Sequence, residues 1–175
     1  MARVWLADVP AIVVDAGWEI VAANRLADAL LGDVTGGTPR ERNVAWRHFT
    51  GGPGRVVRTP EEIARFEAEV VADLHDALGR YPGDEPLRTL IDDLRRTCPR
   101  FAERWEQRPV ARHGTSRKTI LHPEVGSITL DCAVLTVGGS DLRLIVYTAP
   151  PGSPDARALA LVGAVGLQSF AGDRA

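Results

Sequence analysis

The chain has 175 residues, of which 45% are hydrophobic and 25% are charged, and its formal net charge is -2. These values are ordinary for a globular domain, and we predict a single domain over residues 1–175. The small net charge gives no general attraction to nucleic acid. Two cysteines suggest no disulfide framework, and we find neither a signal peptide nor a membrane-spanning apolar run. We therefore expect a cytoplasmic protein without a membrane anchor.

The first elements form a hairpin followed by short helices. An apolar run at 11–15, a turn at Ala16 and Gly17 and a returning run at 18–23 predict two antiparallel strands. Asn24 can cap a short helix that Gly32 ends. We predict a further helix from about 42 to 49, with Trp46 and Phe49 on its apolar side.

The middle of the chain reads as three helices. Thr59 and Glu62 form a capping box for a long amphipathic helix that we expect Gly79 to close. Asp84 can cap a second helix, which Pro99 stops. Pro99 then starts a short third helix that carries Phe101 and Trp105.

After this helical block, the spacing of the hydrophobic residues changes from a helical pattern to the alternating pattern of strands. Strand-like runs at 118–122, 128–134 and 142–149 predict three adjacent antiparallel strands. Ser153 and Pro154 open a last helix to about residue 165, whose stripe of Leu159, Val162 and Val165 we interpret as a dimer surface. The summed pattern predicts an α+β fold, in which a five-stranded antiparallel sheet carries an inserted helical block and a C-terminal helix.

Several short segments occur in an order that is typical of one family. They are Asn24-Arg25, Arg42-Asn43, the run 101–105 (FAERW), the run 121–126 (LHPEVG) and the run 146–153 (VYTAPPGS). Together, over residues 9–163, they resemble the MmyB-like ligand-binding domain of bacterial transcription regulators.

The resemblance implies a PAS-like fold and an apolar small-molecule ligand, with a fatty acid as the best-known type. It also implies a DNA-binding helix-turn-helix segment, which we expect to be absent from this chain. DNA would then be reached only through a segment elsewhere in the parent protein. Two positions depart from the family: Arg58-Thr59-Pro60 stands where many members have Asp-Trp, and His75 where they often have arginine.

Large aromatic side chains on the short helices are the first candidates for a ligand pocket, because ligand sites are mostly apolar with few polar groups. The alternative is that each simply fills the core. The candidate aromatics are Trp46, Phe49, Phe66, Phe101, Trp105 and Tyr147.

Polar groups near these aromatics could orient a ligand. Arg42 and Arg47 flank Trp46, and an arginine fork can hold a carboxylate bidentately. The alternative is a solvated helix face or an ion pair with Glu41. Asn43 belongs to the predicted ligand set, although a helix cap or turn residue is its simplest interpretation.

His122 lies at the end of a predicted strand and Glu124 in the turn that follows. His122 could act as a general base, bind a metal or lock the turn through a hydrogen bond to the backbone, which we favour. Only His113, Asp131 and Cys132 could join it in a metal site, and none has the spacing of a ligand pair. We therefore predict neither a metal nor a cofactor.

Three functions are compatible with the sequence. We favour a regulatory module that binds an apolar molecule, forms a homodimer and has His122 among its ligand-binding residues. The second is a small enzyme that uses His122, Glu124 and Asp131 in acid-base catalysis. The third is a dimerisation module that binds no ligand and has a completely filled core.

Overall fold

The computed structural model describes residues 8–52 and 54–172, and within them it shows an α+β fold with seven helices and one six-stranded antiparallel sheet. None of the described helices is long and apolar enough to cross a lipid bilayer. The elements in chain order are β1 Ala11–Val14, β2 Ile20–Ala23, α1 Arg25–Leu31, α2 Pro39–Arg42, α3 Val44–Thr50, β3 Val56–Val57, α4 Pro60–Arg80, α5 Glu85–Thr97, α6 Pro99–Gln107, β4 Ser116–His122, β5 Gly126–Thr136, β6 Arg143–Thr148 and α7 Pro154–Gly172.

The sheet has the strand order β2-β1-β6-β5-β4-β3, so the N-terminal hairpin pairs with the last strand. The predicted hairpin and the three predicted C-terminal strands are confirmed. The predicted count of five strands is wrong, because β3 pairs with β4 through Val56 and Ile120 at the edge of the sheet. Two residues are too few to show an alternating pattern, and only the pairing with β4 defines this strand.

The capping residues predicted for α1, α4 and α5 cap these helices in the structure. The Asn24 side chain accepts a hydrogen bond from the amide of Ala27, and Thr59 and Glu62 form the reciprocal capping box of α4. Asp84 caps α5 as predicted. Gly79 does not close α4, which continues to Arg80 and has Tyr81 as its C-cap. A glycine near the end of a helix is compatible with ending it, but here the helical hydrogen bonds continue past it.

The single helix predicted over about 42–49 is two short helices. Thr38 and Glu41 form a capping box that starts α2 before the predicted boundary. Asn43 has an extended backbone with ψ of 118°, which ends α2, and its side chain caps α3 by accepting from the Trp46 amide at 2.9 Å. Its amide nitrogen also donates to the Gly17 carbonyl at 2.7 Å. The cap interpretation of Asn43 is therefore confirmed.

The hairpin turn differs from the expected one. Trp18 was predicted to begin the second strand, but it lies in the turn with a φ of 66° and only 1% of its surface is exposed. Its indole nitrogen donates to Asp73 on α4 at 3.1 Å. The long helix thus fixes the turn against the sheet.

One hydrophobic cluster joins the sheet to the helices. Alternate residues of β5 point into it, and Cys132 is buried beside Leu130 as predicted. From the helical block, Phe66 and Val70 of α4 belong to the same cluster. The sheet and the inserted helices are therefore packed together on one core.

The last helix, α7, is longer than the predicted end at about residue 165, and it packs on α1 and β5. Leu159 and Val162 are 9% and 1% exposed and lie in the hydrophobic core of their own chain. The interpretation of this stripe as a dimer surface is therefore wrong, because the two side chains are already covered.

Candidate functional site

A cavity of about 300 Å³ lies between the β1–β2 hairpin, α1, α3, β3 and the start of α4. Its walls are mostly apolar and include Ile12, Ile20, Val34, Phe66 and Tyr147. The volume is at the lower end of the range of roughly 300–1,000 Å³ that is usual for small-molecule sites. The cavity therefore suits a small ligand with an apolar body.

Basic side chains line the same cavity. Arg47, His48, Arg55 and Arg58 all contribute to its walls, and no aspartate or glutamate is found among its described lining residues. The cavity consequently combines apolar walls with an excess of positive charge.

Arg55 has a clear structural role. Its Nη1 atom donates to the carbonyl oxygens of Ala29 and Leu30 at 2.9 and 3.0 Å. These carbonyls belong to the C-terminal end of α1, where a cation is favourable. Arg55 is thus engaged by the backbone.

Arg58 has no comparable partner. Its guanidinium lies 4.5 Å from the centroid of the Phe66 ring, and its buried Nε atom has no hydrogen-bond partner. No carboxylate of the described residues lies within ion-pair distance of it. Burial lowers the pKa of Arg58 from its usual value. The side chain is half-buried, and the Phe66 ring and electrostatic attraction from Glu62 each offset part of the cost of burying the charge.

A second cation, Lys118 of β4, lies near the same ring. The Lys118 ammonium is 5.7 Å from the centroid of Phe66, and only 8% of the residue is exposed. Burial lowers the pKa of Lys118, and repulsion from Arg58 lowers it further. Two like charges therefore share the neighbourhood of Phe66.

Tyr147 and Cys132 lie close to these cations without neutralising them. Burial raises the pKa of the Tyr147 phenol well above its usual value and also raises the pKa of the Cys132 thiol. Both groups are therefore neutral near pH 7. The phenol keeps its proton and can donate a hydrogen bond.

His48 connects the cavity to the interior of the helical block. Its Nε2 atom lies 3.1 Å from Glu67, a carboxylate that is 1% exposed. Burial lowers the pKa of His48, and its Nε2–H group donates a hydrogen bond to the Glu67 carboxylate. Glu67 also binds Arg100 and Arg104 of α6 at 3.0 and 3.5 Å. One carboxylate thus joins α3, α4 and α6.

The structure distributes the six candidate aromatics over two places. Phe66 and Tyr147 line the cavity. Phe49 and Phe101 pack edge to face with centroids 4.9 Å apart, and Trp105 lies 5.7 Å from Phe101. These three residues are buried and stand outside the described cavity lining.

Trp46 is half-buried and also outside the cavity lining, with the guanidinium of Arg40 4.8 Å from its ring. Of the two candidate arginines, Arg47 lines the cavity, whereas Arg42 forms an ion pair with Glu19 at 2.8 Å. The expected partner Glu41 is wrong, because its carboxylate accepts from the Thr38 amide in the capping box of α2.

His122 acts as the predicted lock on the turn. Its Nε2 atom lies 3.0 Å from the Ala29 carbonyl, and its Nδ1 atom accepts from the amide of Glu124 at 3.3 Å. The ring is therefore the neutral tautomer with its proton on Nε2. Glu124 contributes its backbone to this arrangement, and the hydrogen bonds connect the β4–β5 turn to α1.

The three residues of the proposed acid-base site do not come together. His122 pairs with Gly126, whereas Asp131 pairs with Arg117, so they are separated by five residues, roughly 16 Å, along β4. They also face opposite sides of the sheet, and Asp131 forms an ion pair with Arg117 at 3.4 Å. Within residues 8–52 and 54–172, no group of three or more His, Cys, Asp or Glu side chains could hold a metal ion.

A larger cleft of about 680 Å³ lies between the hairpin turn and α5, and most of the carboxylates in its lining are engaged by other groups of the protein. Asp84 caps α5, and Asp15 accepts from the amides of Gly17 and Glu19. Asp141 contacts Arg80 and Tyr81. The larger cleft therefore differs from the smaller cavity in containing several carboxylates.

One known protein family matches most of the chain. The family described as the MmyB-like transcription regulator ligand binding domain matches residues 5–162. The chain belongs to this family. A comparison with curated proteins gives no match. The MmyB-like domain is accordingly a ligand-binding domain of the transcription-regulator type, as the order of its short segments predicted.

Sequence reasoning missed His48, Arg55 and Arg58 as residues of the cavity. Arg55 and Arg58 flank the two-residue strand β3, which carries no periodic signal of its own. Arg58 was noticed only as a departure from the family pattern. Its proximity to Phe66 depends on the packing of β3 and α4, which local sequence does not reveal.

Proposed function

We propose that this MmyB-like domain, as a single domain over residues 1–175, is the sensor of a cytoplasmic bacterial transcription regulator. It binds a small apolar molecule, with a fatty acid as the leading candidate, in the cavity between the hairpin and the short helices. The observation that carries this proposal is the cavity itself, whose walls are mostly apolar side chains. A ligand-binding role agrees with the family to which the chain belongs.

The size of the cavity favours a sensor over a dimerisation module without a ligand. The volume of about 300 Å³ falls at the lower end of the range that is usual for small-molecule sites. A module that only dimerised would have no reason to keep such space next to its core.

Regulation then depends on the helices that border the cavity. The short helix α3 and the start of α4 both contribute to the walls. A ligand shifts the equilibrium between two arrangements only by its difference in affinity for them. In our proposal a homodimer relays the favoured arrangement to a helix-turn-helix segment elsewhere in the parent protein, through a surface other than the buried stripe of α7.

Purified protein provides the first test. Native mass spectrometry and lipid extraction should reveal a bound molecule, and a homologous series of fatty acids should raise the melting temperature of the stripped protein. At a ligand concentration of about 100 times Kd, the stabilisation is roughly 2.7 kcal/mol. Absence of a ligand together with no shift at any chain length would contradict the proposal.

A matched pair of variants locates the binding site. Val44→Phe adds volume to the cavity wall and should weaken binding, whereas Val21→Phe adds the same volume to an exposed position on β2. Equal affinities of the two variants for the same fatty acid would place the ligand elsewhere.

A further inference from the structure

A buried carboxylate determines which ring nitrogen of His48 carries a proton. Glu67 is 1% exposed, and the Nε atoms of Arg100 and Arg104 lie 3.0 and 3.5 Å from its oxygens. A carboxylate beside two guanidinium groups is an acceptor of hydrogen bonds. The Nε2 atom of His48, which lies 3.1 Å from the same carboxylate, is therefore the donor.

The proton on Nε2 leaves the other ring nitrogen of His48 as an acceptor. In a neutral imidazole one nitrogen donates and the other accepts. Burial lowers the pKa of His48 from its usual value near 6.5, which favours the neutral ring at pH 7. Among the described residues, the only fully buried side-chain nitrogen or oxygen without a partner is Nε of Arg58, so the unpaired Nδ1 of His48 borders open space.

His48 belongs to the lining of the cavity under the β1–β2 hairpin, where most polar side chains are donors. The lining arginines, Arg47, Arg55 and Arg58, have no acceptor atom. Besides His48, the Tyr147 phenol is the one side chain of the described lining that can accept. An acceptor on the wall of an otherwise apolar cavity needs a donor from the ligand, because a desolvated polar group without a partner is costly.

We infer that Nδ1 of His48 accepts a hydrogen bond inside the cavity from a hydroxyl group on an otherwise apolar ligand. This inference rests on the proposed function, because it names a polar group that the ligand of the same cavity carries. For a fatty acid it means a hydroxyl group on the chain, since an ionised carboxylate has no proton to donate. Glu67 is a positioning residue here: it fixes the tautomer of His48 without touching the ligand.

A fixed acceptor discriminates against ligands that lack a donor. The apolar walls bind a hydroxylated molecule and its ether analogue alike, so they do not distinguish the two. At His48, however, the ether displaces water from Nδ1 and leaves this nitrogen unpaired. Leaving a buried acceptor unpaired should reduce affinity by about 5- to 150-fold. His48 is therefore the residue that determines specificity for the hydroxyl group.

Nitrogen NMR tests the protonation of His48 without any ligand. The chain has four histidines, so the ring signals of the labelled protein are few. At pH 7 we expect a proton on Nε2 of His48 and none on Nδ1. A proton on Nδ1, in the other tautomer or in the imidazolium, overturns the inference.

Two isomeric probes test the ligand group by isothermal titration calorimetry. 1-Octanol has a hydroxyl donor, whereas heptyl methyl ether contains the same atoms and has no donor. The unchanged protein should bind the alcohol more tightly by about 5- to 150-fold. His48→Phe keeps an aromatic ring but removes the acceptor, and it should bind both probes with equal affinity. Because the ratio of two affinities is measured within each protein, a general loss of affinity does not change it.

His75 provides the matched control. Its ring stacks on Trp105 and stands outside the described cavity lining. His75→Phe makes the same replacement at this position and should keep the preference of the unchanged protein for the alcohol.

The outcomes separate the two proposals. Equal affinity of the unchanged protein for the two probes, or tighter binding of the ether, overturns this inference and leaves the proposed function standing. Binding of fatty acids without binding of 1-octanol has the same consequence. A preference for the alcohol that persists in His48→Phe assigns the hydroxyl group to another acceptor and also overturns the inference. Failure of both probes and of the fatty-acid series to bind overturns the proposed function, and this inference with it.

Discussion

Two buried charged regions of this domain are built in opposite ways. Around Asp73, every group has a partner: its carboxylate accepts from the Trp18 indole at 3.1 Å and lies 2.7 Å from His113 and 3.2 Å from Arg143. Around Phe66, the half-buried guanidinium of Arg58 and the buried ammonium of Lys118 have no carboxylate of the described residues within ion-pair distance.

Cations without an ion-pair partner are therefore found beside the cavity, whereas the charges around Asp73 are paired. The Asp73 group joins the hairpin turn, α4, the segment before β4 and the start of β6, so its charges hold four parts of the chain together. The cations beside Phe66 join nothing comparable. We therefore interpret the first region as structural and the second as available to a ligand.

The largest effect should come from breaking the paired region. Asp73→Ala leaves His113 and Arg143, which are mostly buried, without their shared carboxylate. Removing one partner of a buried ion pair costs about 3–5 kcal/mol of unfolding free energy. Urea denaturation measures this loss, with Asp76→Ala at an exposed position of the same helix as the control. Similar stabilities of the two variants would contradict the structural interpretation.

The next largest effect concerns pH. Burial alone would lower the pKa of His113, but hydrogen bonds to Asp73 and Glu69 outweigh it and raise the pKa to about 9. Because the folded pKa is above the unfolded value of about 6.5, this stabilisation is complete below pH 6.5 and is lost as pH rises through 9. We expect a loss of up to about 3 kcal/mol over that interval.

Other groups titrate in the same interval, so the contribution of His113 is measured by difference. Unfolding free energies of the unchanged protein and of His113→Gln are compared between pH 6 and pH 10, values chosen roughly to bracket both pKa values. The decline should be clearly steeper in the unchanged protein. Parallel curves would show that His113 is not held as a cation by Asp73 and Glu69.

The smallest effect belongs to the unpaired region. Lys118→Met keeps most of the buried stem and removes a charge that no described carboxylate neutralises. The unfolding free energy of the ligand-free protein should stay the same or rise by up to about 1 kcal/mol. Thermal unfolding without ligand provides the measurement, and a loss of more than about 2 kcal/mol would show a structural role for this ammonium.

Local chemistry explains which parts of the fold could be predicted. Asn24, Thr59 and Asp84 cap their helices through side chains that accept from amides three residues away, so the sequence contains the whole interaction. The β1–β2 hairpin and the three long strands show their alternation directly. The strand β3 could not be found in this way, since its two residues are defined by a partner more than sixty residues later.

The candidate site was less accessible to sequence reasoning. Phe66, Tyr147 and Arg47 were predicted for a pocket and line the cavity, but Phe49 and Phe101 were chosen by the same rule and pack against each other. An aromatic residue at helical spacing looks the same in both settings. Arg58 could not be singled out, because its lack of a partner is a property of the folded chain.

The two edge strands of the sheet affect how readily the protein aggregates at high concentration. β2 has four residues and β3 has two, and these are the terminal strands of the sheet order. Short outer strands offer few free amide and carbonyl groups to a neighbouring molecule, which limits aggregation through strand addition.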